Sequence, residues 1–199
     1  MFKLRYLQLF ALFVLPCFVQ AQPMVVIGGG QKAQECFMNA EMASRNLPGV
    51  GRTLLEPCTY TLEYSTINMQ DRAATLANRG IVFAALNNYD AAMADYNAAI
   101  EIRPSTPEFY INRGNSLFMI REFAKAMEDY ELSLDLGLKQ VHFAHYNMGM
   151  VYERLGNDKA AEAAYAQASA YEPDWVLAND KLLMIKQRLA EDAARAGQQ

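Results

Sequence analysis

Asparagine recurs at a fixed interval in this chain. Asn78 heads the triplet Asn78-Arg79-Gly80, Asn112 heads Asn112-Arg113-Gly114 after 34 residues, and Asn147 follows after a further 35. A side-chain amide is both donor and acceptor, so a row of them can bond the backbone of an extended peptide whatever its sequence. The arginines suggest a second chemistry, an anion-binding row. Against it, Asp95 and Asp129 each stand 16 residues after an arginine, while the third copy has Met148 and Ala164 at the same two places. Both charges are lost together, which points to an Arg–Asp contact inside each of the first two copies. A buried pair of this kind specifies register more than it adds stability.

Other reactive side chains form no constellation. His142 and His145 share a helix face, but two histidines cannot complete a tetrahedral metal site, and no cysteine or carboxylate is in register with them. His145 is expected to pack in the core of its copy. The run Met24-Val25-Val26-Ile27-Gly28-Gly29-Gly30-Gln31-Lys32-Ala33 imitates an apolar strand followed by G-x-G-x-x-A. Its context argues for a linker over residues 22–32, because no second strand follows and the next segment is a helical hairpin. Glu128-Asp129 is expected on a solvated helix face. There is no G-x-S-x-G, H-E-x-x-H or P-loop. The expectation is a non-enzyme with no catalytic residues, no metal, no cofactor and no small-molecule substrate.

The elements that carry the asparagines repeat as well. Tyr89 maps to Phe123, Ala92 to Ala126, Met93 to Met127 and Asp95-Tyr96 to Asp129-Tyr130, and the third copy supplies Asn147, Gly149, Ala161, Tyr165 and Pro173. Self-similarity at this period means helical hairpins stacked into a solenoid. The copies resemble tetratricopeptide repeats, whose pattern is a large residue, Leu-Gly, an aromatic, Ala, an aromatic, Ala and Pro. In the first copy these are Leu76, Arg79-Gly80, Phe83, Ala92, Tyr96, Ala99 and Pro104. The second has Tyr110, Arg113-Gly114, Leu117, Ala126, Tyr130, Ser133 and Leu138, and the third has His145, Met148-Gly149, Tyr152, Ala161, Tyr165, Ala168 and Pro173. The resemblance covers residues 73–174.

It implies an all-α fold: a right-handed α-solenoid of tetratricopeptide helical hairpins at 73–106, 107–141 and 142–175, with a C-terminal capping helix and tail over 176–199. Leu138 replaces the closing proline of the second repeat, and one extra residue in Gly137-Leu138-Lys139-Gln140 loosens that turn. Gly80, Gly114 and Gly149 fall mid-helix, where glycine costs about 1 kcal/mol against alanine. That cost makes sense if a second helix must approach closely, with Ala92, Ala126 and Ala161 as the contacts. Tyr96, Tyr130 and Tyr165 would fill the space between neighbouring hairpins.

The resemblance also implies that the first helices of successive repeats line a concave groove. By position, that groove holds the ladder Asn78, Asn112 and Asn147. Beside it lie Ala77, Ile111 and Tyr146, then Ile81, Asn115 and Met150. Glu108, Phe118, Met119, Phe143, Glu153 and Arg154 would border it. Isoleucine, tyrosine and methionine supply adaptable apolar pockets. The competing role for the asparagines is bonding between helices inside the solenoid. Some family members hold acidic chaperone C-termini in a clamp of Lys, Asn and Arg. The clamp positions here would be Ala77, Ile81, Asn112, Phe143 and Asn147, and only Asn112 fits, so a free carboxylate should not be held by that device.

Flanking segments read as caps. Residues 33–72 form a degenerate hairpin, with helices over 33–45 and 54–65 around the breakers of 46–51. A disulfide between Cys36 and Cys58 would tie its two helices together, closing a loop of 22 residues worth about 3 kcal/mol; two buried free thiols are the alternative. At the other end Asp174 can N-cap a helix over 175–195. Trp175, Ala178, Leu182, Ile185 and Leu189 make a stripe spaced to pack on the last hairpin, while Lys181, Lys186, Arg188, Glu191 and Asp192 face water. Leu183 stands where the repeats have glycine, as suits a helix with no following partner helix.

Residues 1–21 read as a secretory signal peptide: Lys3 and Arg5, an apolar stretch from Tyr6 to Val19, then Val19-Gln20-Ala21 before a cleavage at Gln22. A periplasmic location follows, and an oxidising compartment suits the Cys36–Cys58 pair. Membrane attachment would come only through an uncleaved N-terminus or one lipidated at Cys17. Removing Lys3 and Arg5 from 18 basic residues leaves 16 against 22 acidic, a net charge of −6, which disfavours nucleic acid. The expected partner is another protein, held through an extended segment by an adaptor or assembly factor. The alternative is a structural subunit that docks through its convex face or C-terminal helix.

Overall fold

The structure is a computed structural model and describes residue 22, residues 30–45, residue 47 and residues 51–197. The proposed leader, the glycine-rich run up to Gly29 and most of the 46–51 loop lie outside the described residues. Within them there are nine α-helices and no strand.

Helices α1 (Gly30–Ser44) and α2 (Glu56–Tyr64) form the N-terminal hairpin, with a 3-10 turn at Arg52–Leu55 leading into α2. α1 begins at Gly30, inside the stretch expected to be linker. Gln31 and Lys32 both bond the Glu35 carboxylate, at 2.9 and 2.7 Å, and i,i+3 and i,i+4 partners of this kind carry the helix back toward its start. The small face of α1, Ala33, Cys36, Ala40 and Ala43, is buried, and α1 packs on α2 and on the first helix of the following hairpin. The sulfur atoms of Cys36 and Cys58 lie at disulfide distance, with Cα atoms 4.7 Å apart.

Three hairpins follow: α3 (Met69–Ala85) with α4 (Tyr89–Ile102), α5 (Pro107–Met119) with α6 (Phe123–Asp135), and α7 (Val141–Arg154) with α8 (Asp158–Tyr171). α3 starts four residues before the expected repeat boundary at Ala73, because the Asn68 side chain caps it by accepting from the Asp71 N–H at 2.8 Å. Each second helix packs on its own first helix and on the first helix of the next hairpin. α3 also touches α5, and α5 touches α7. The row whose members touch is the inner one, so α3, α5 and α7 line the concave side.

The turn inside each hairpin is built identically. Asn88, Glu122 and Asn157 donate their N–H to the carbonyls of Phe83, Leu117 and Tyr152, each at 2.9 Å, which closes the end of the first helix. This geometry needs a left-handed residue one position earlier, supplied by Asn87 at φ 59°, Arg121 at φ 68° and Gly156 at φ 73°. The proline-free end of the second repeat uses the same device. Leu138 N–H bonds the Ser133 carbonyl at 3.0 Å, with Gly137 at φ 83° absorbing the extra residue.

The reason for the mid-helix glycines differs from the expectation. A Cβ on Gly80, Gly114 or Gly149 would come within 2.7 Å of the ring of Tyr96, Tyr130 or Tyr165, respectively. It is the tyrosine of the same hairpin, not the alanine, that occupies the space above the glycine. Ala92, Ala126 and Ala161 are buried beside it. The tyrosines therefore close each hairpin internally and also share cores with the next element, Tyr96 with Phe109, Tyr130 with Ala144 and Tyr165 with Ala178.

α9 (Val176–Ala196) closes the array against α8. Its Ala178 and Ile185 are buried, and Trp175, Leu182 and Leu189 pack on the same core, as the stripe requires. Asp174 is not the cap. The cap position belongs to Trp175, which is extended at φ −80°, ψ 96°, and whose carbonyl accepts from Ala178 and Asn179 at 3.1 and 3.2 Å. Placing Trp175 there lets its ring pack on Tyr146 and Phe143, with centroids 4.7 and 5.2 Å away, a gain that an aspartate cap would forgo. Among the described residues no helix is long and apolar enough to cross a membrane.

Candidate functional site

The inner helices bring the asparagines together, but not as an open ladder. Asn78 on α3, Asn112 on α5 and Asn147 on α7 are all buried, as are Ile81, Ile111, Asn115, Tyr146 and Met150. Of the nine candidate groove residues Met119 alone is exposed, at 42 %. The three asparagines also differ in what they do. Asn147 donates its amide to Asn115 Oδ1 at 2.8 Å, a bond between α7 and α5 that matches the structural role weighed for it. Its own Oδ1 is buried with no hydrogen-bond partner among the described residues.

Asn112 behaves as a reader of main chain. Its Oδ1 accepts from the Gln22 N–H at 2.7 Å, and its Nδ2 donates to the Gln22 carbonyl at 2.9 Å. One side-chain amide thus takes both backbone groups of one residue, the pairing a strand neighbour would make. No side-chain atom of Gln22 takes part in either bond. The arrangement holds extended backbone without asking which residue supplies it.

The arginine row is closed to anions. Arg79 grips Asp95 with two bonds of 2.8 Å, and Arg113 grips Asp129 with bonds of 2.8 and 2.7 Å. Asp129 is therefore buried and paired rather than on a solvated face. Each arginine also reaches back to the preceding hairpin. Arg113 bonds Asn97 Oδ1 on α4 at 2.8 Å, and Arg79 points to Thr59 Oγ1 on α2 at 3.5 Å. One guanidinium thereby fixes its own hairpin and the register with the hairpin before it.

Four of the bordering residues, Glu153, Phe118, Arg154 and Phe143, make contacts within the array. Glu153, expected at the groove margin, accepts from Tyr165 and from Lys181, each at 2.8 Å. It ties α7 to α8 and α9, and Lys181 is drawn out of water to reach it. Burial pushes the Glu153 carboxyl up, but the bonds from Lys181 and Tyr165 and the nearby Arg188 charge outweigh this and hold it below the ordinary carboxylate value. Phe118 is buried beneath the Arg154 guanidinium, 5.8 Å from its ring centre. Phe143 joins His142 and Trp175 in an aromatic cluster, with contacts of 4.2 and 5.2 Å. His145 is half-buried and stacks flat on Tyr171 at 5.4 Å. Burial lowers the affinity of both histidines for a proton. Among the described residues no group of three or more metal-ligating side chains assembles.

The contributions of Gln22, Asn97 and Lys181 were missed from sequence. Lys181 and Gln22 act at separations of 28 and 90 residues that no repeat marks, Asn97 lies before its arginine rather than after it, and Gln22 acts only through its main chain.

Comparison with known proteins agrees with this architecture. Residues 80–120 match a family model described as TPR repeat, and residues 142–175 match one described as tetratricopeptide repeat. The first TPR of Spaghetti (RPAP3) bound to the HSP90 peptide SRMEEVD is 26 % identical, with 62 % of this chain and 97 % of that one aligned at a TM-score of 0.57. The first TPR domain of the human RPAP3 protein is 25 % identical over 63 % of this chain and 98 % of that one, with a TM-score of 0.58. The MamA RS-1 ArsTM double mutant shares the fold alone. It is 18 % identical over 85 % of this chain and 91 % of that one, with a TM-score of 0.60.

Proposed function

Because the array is built of tetratricopeptide repeats, we propose that this chain is a protein-interaction module that holds an extended segment of a partner protein against α3, α5 and α7. One observation carries the proposal: the Asn112 amide pairs with both backbone groups of a single residue at 2.7 and 2.9 Å. The similar Spaghetti repeat domain is bound to the HSP90 peptide SRMEEVD, which supports peptide binding as the role of this chain. No carboxylate clamp is expected here. Ala77, Ile81 and Phe143 stand where a carboxylate clamp needs Lys, Asn or Arg, so recognition here is of main chain flanked by apolar side chains rather than of a charged C-terminus. Ile81, Ile111, Tyr146 and Met150 are the buried apolar floor beneath the site, Met119 gives the exposed margin, and Asn78, Asn115 and Asn147 give the polar frame around Asn112.

The working context is the cell envelope. Residues 1–21 direct export and are cleaved before Gln22, and Cys36 and Cys58 are oxidised to a disulfide in the periplasm. The chain acts there as an adaptor or assembly factor, with no catalytic group, metal, cofactor, small-molecule substrate or nucleic acid involved. The test is covalent capture of partners by the exported protein in its native envelope, comparing wild type with Asn112→Ala. One or two stoichiometric partners that disappear in the variant support the proposal; a partner set unchanged by Asn112→Ala sinks it.

A second mode is docking through the C-terminal helix. Leu183 and Met184 on α9 are 56 % and 58 % exposed, on a helix that packs on α8. Partners retained by Asn112→Ala but lost with Leu183→Glu would select that mode.

A further inference from the structure

The Asn112 position already has an occupant, and it comes from the same chain. Gln22 lies 90 residues before Asn112, ahead of the first helix, yet its N–H and C=O are the groups that the Asn112 amide holds. Asn112 is 1 % exposed, so a second peptide cannot make the same two bonds while Gln22 stays. We propose that Gln22 is an intramolecular competitor of the partner, and that the partner gains Asn112 only by displacing it. This rests on the reading that Asn112 holds the partner's backbone.

The physics of tethering favours such a competitor. A ligand on the same chain acts at an effective concentration in the millimolar range, so a contact too weak to form between molecules forms within one. The apparent affinity for a partner is then reduced by the fraction of molecules with the site open. Both bonds use main-chain atoms, so any partner with an N–H at the right place can replace Gln22, and binding strength depends on how many further contacts it adds. The arrangement survives processing. If cleavage leaves Gln22 at the N-terminus, its amide becomes an α-ammonium, which still donates to Asn112 Oδ1. The groove would thus hold its own new terminus until a better ligand arrives.

Two measurements test the proposal. First, Gln22→p-benzoylphenylalanine in the otherwise intact chain, irradiated at high dilution, should crosslink within one molecule to residues 107–119 of α5. Second, a fluorescent peptide of residues 22–32 should bind in trans at least threefold more tightly to the leader-bearing Gln22→Pro chain, in which residue 22 has no N–H to donate, than to the leader-bearing wild type. Adding Asn112→Ala should remove that gain. Crosslinks that miss α5, or equal binding to wild type and Gln22→Pro, overturn the proposal. A different pattern isolates failure of the underlying function. If the α5 crosslink forms but Asn112→Ala leaves partner capture intact, Gln22 docks in a groove that no partner uses, and competition is refuted with the partner-binding reading.

Discussion

At the scale of residues, the paired charges are the clearest case of sequence anticipating structure. Arg79–Asp95 and Arg113–Asp129 could be inferred because the third repeat loses both members together. The natural replacement gives a direct test. Arg113→Ala strands Asp129, which is only 6 % exposed, and should cost about 2–3 kcal/mol in urea denaturation. Arg113→Met with Asp129→Ala copies the third repeat and should cost less than Arg113→Ala alone, because it leaves no buried charge unpaired. Additive losses in the double variant would contradict a coupled pair. What the sequence hid was the glycine's partner: spacing could say that something approaches Gly114, but only three dimensions show that it is the Tyr130 ring. A second prediction concerns Arg121, held at φ 68° where the third repeat has Gly156. Relieving a left-handed non-glycine residue should stabilise by up to about 1 kcal/mol, so Arg121→Gly should raise the melting temperature.

Helix boundaries were legible at the scale of elements wherever an apolar period met a breaker. They shifted where tertiary contacts took over, as at Gly30, Met69 and Trp175. The cap helix α9 shows the limit: its stripe could be read, but Glu153, which anchors it, looked like a groove residue because the sequence does not show that Lys181 lies across from it. Glu153 makes the anchor pH-dependent. Its folded pKa is depressed, so its stabilising contribution is complete above the ordinary carboxylate pKa and is lost as the pH falls through the lower folded value. His142 and His145 have folded pKa values below the usual 6.5. An unfolded chain therefore takes up their protons more readily, and stability begins to fall as the pH drops below about 6.5. Trp175, the single tryptophan, packs in this cluster and reports it. Its fluorescence melting temperature should decline in two stages, below about pH 6.5 and again below about 4.5. Glu153→Gln should remove the lower stage, and an unaltered lower stage would assign it elsewhere. The other terminal element makes its own prediction. Reduction of the Cys36–Cys58 pair should loosen α1 from α2 and lower stability by about 3 kcal/mol, measured by urea denaturation with and without reductant. Equal stability in both conditions would show that the cysteines are thiols in the protein as isolated.

At the scale of the whole molecule, the period of the repeat was enough to specify a solenoid and its inner row of helices. It was not enough to specify the state of the groove, because Asn78, Asn112 and Asn147 are equivalent in sequence and inequivalent in space. Asn147 is spent on Asn115, whereas Asn112 meets backbone; the difference arises from a contact with Gln22 that no repeat encodes. The central claim is that the Asn112 amide holds the main chain of a partner. The most direct measurement follows the side-chain amide signals of Asn112, Asn115 and Asn147 by nuclear magnetic resonance while a peptide from a captured partner is added. The account predicts that the Asn112 signals shift in saturable fashion with the partner while the Asn147–Asn115 pair stays in place. Saturable binding that moves only signals of α9 or the outer helices, and leaves Asn112 unchanged, would contradict it.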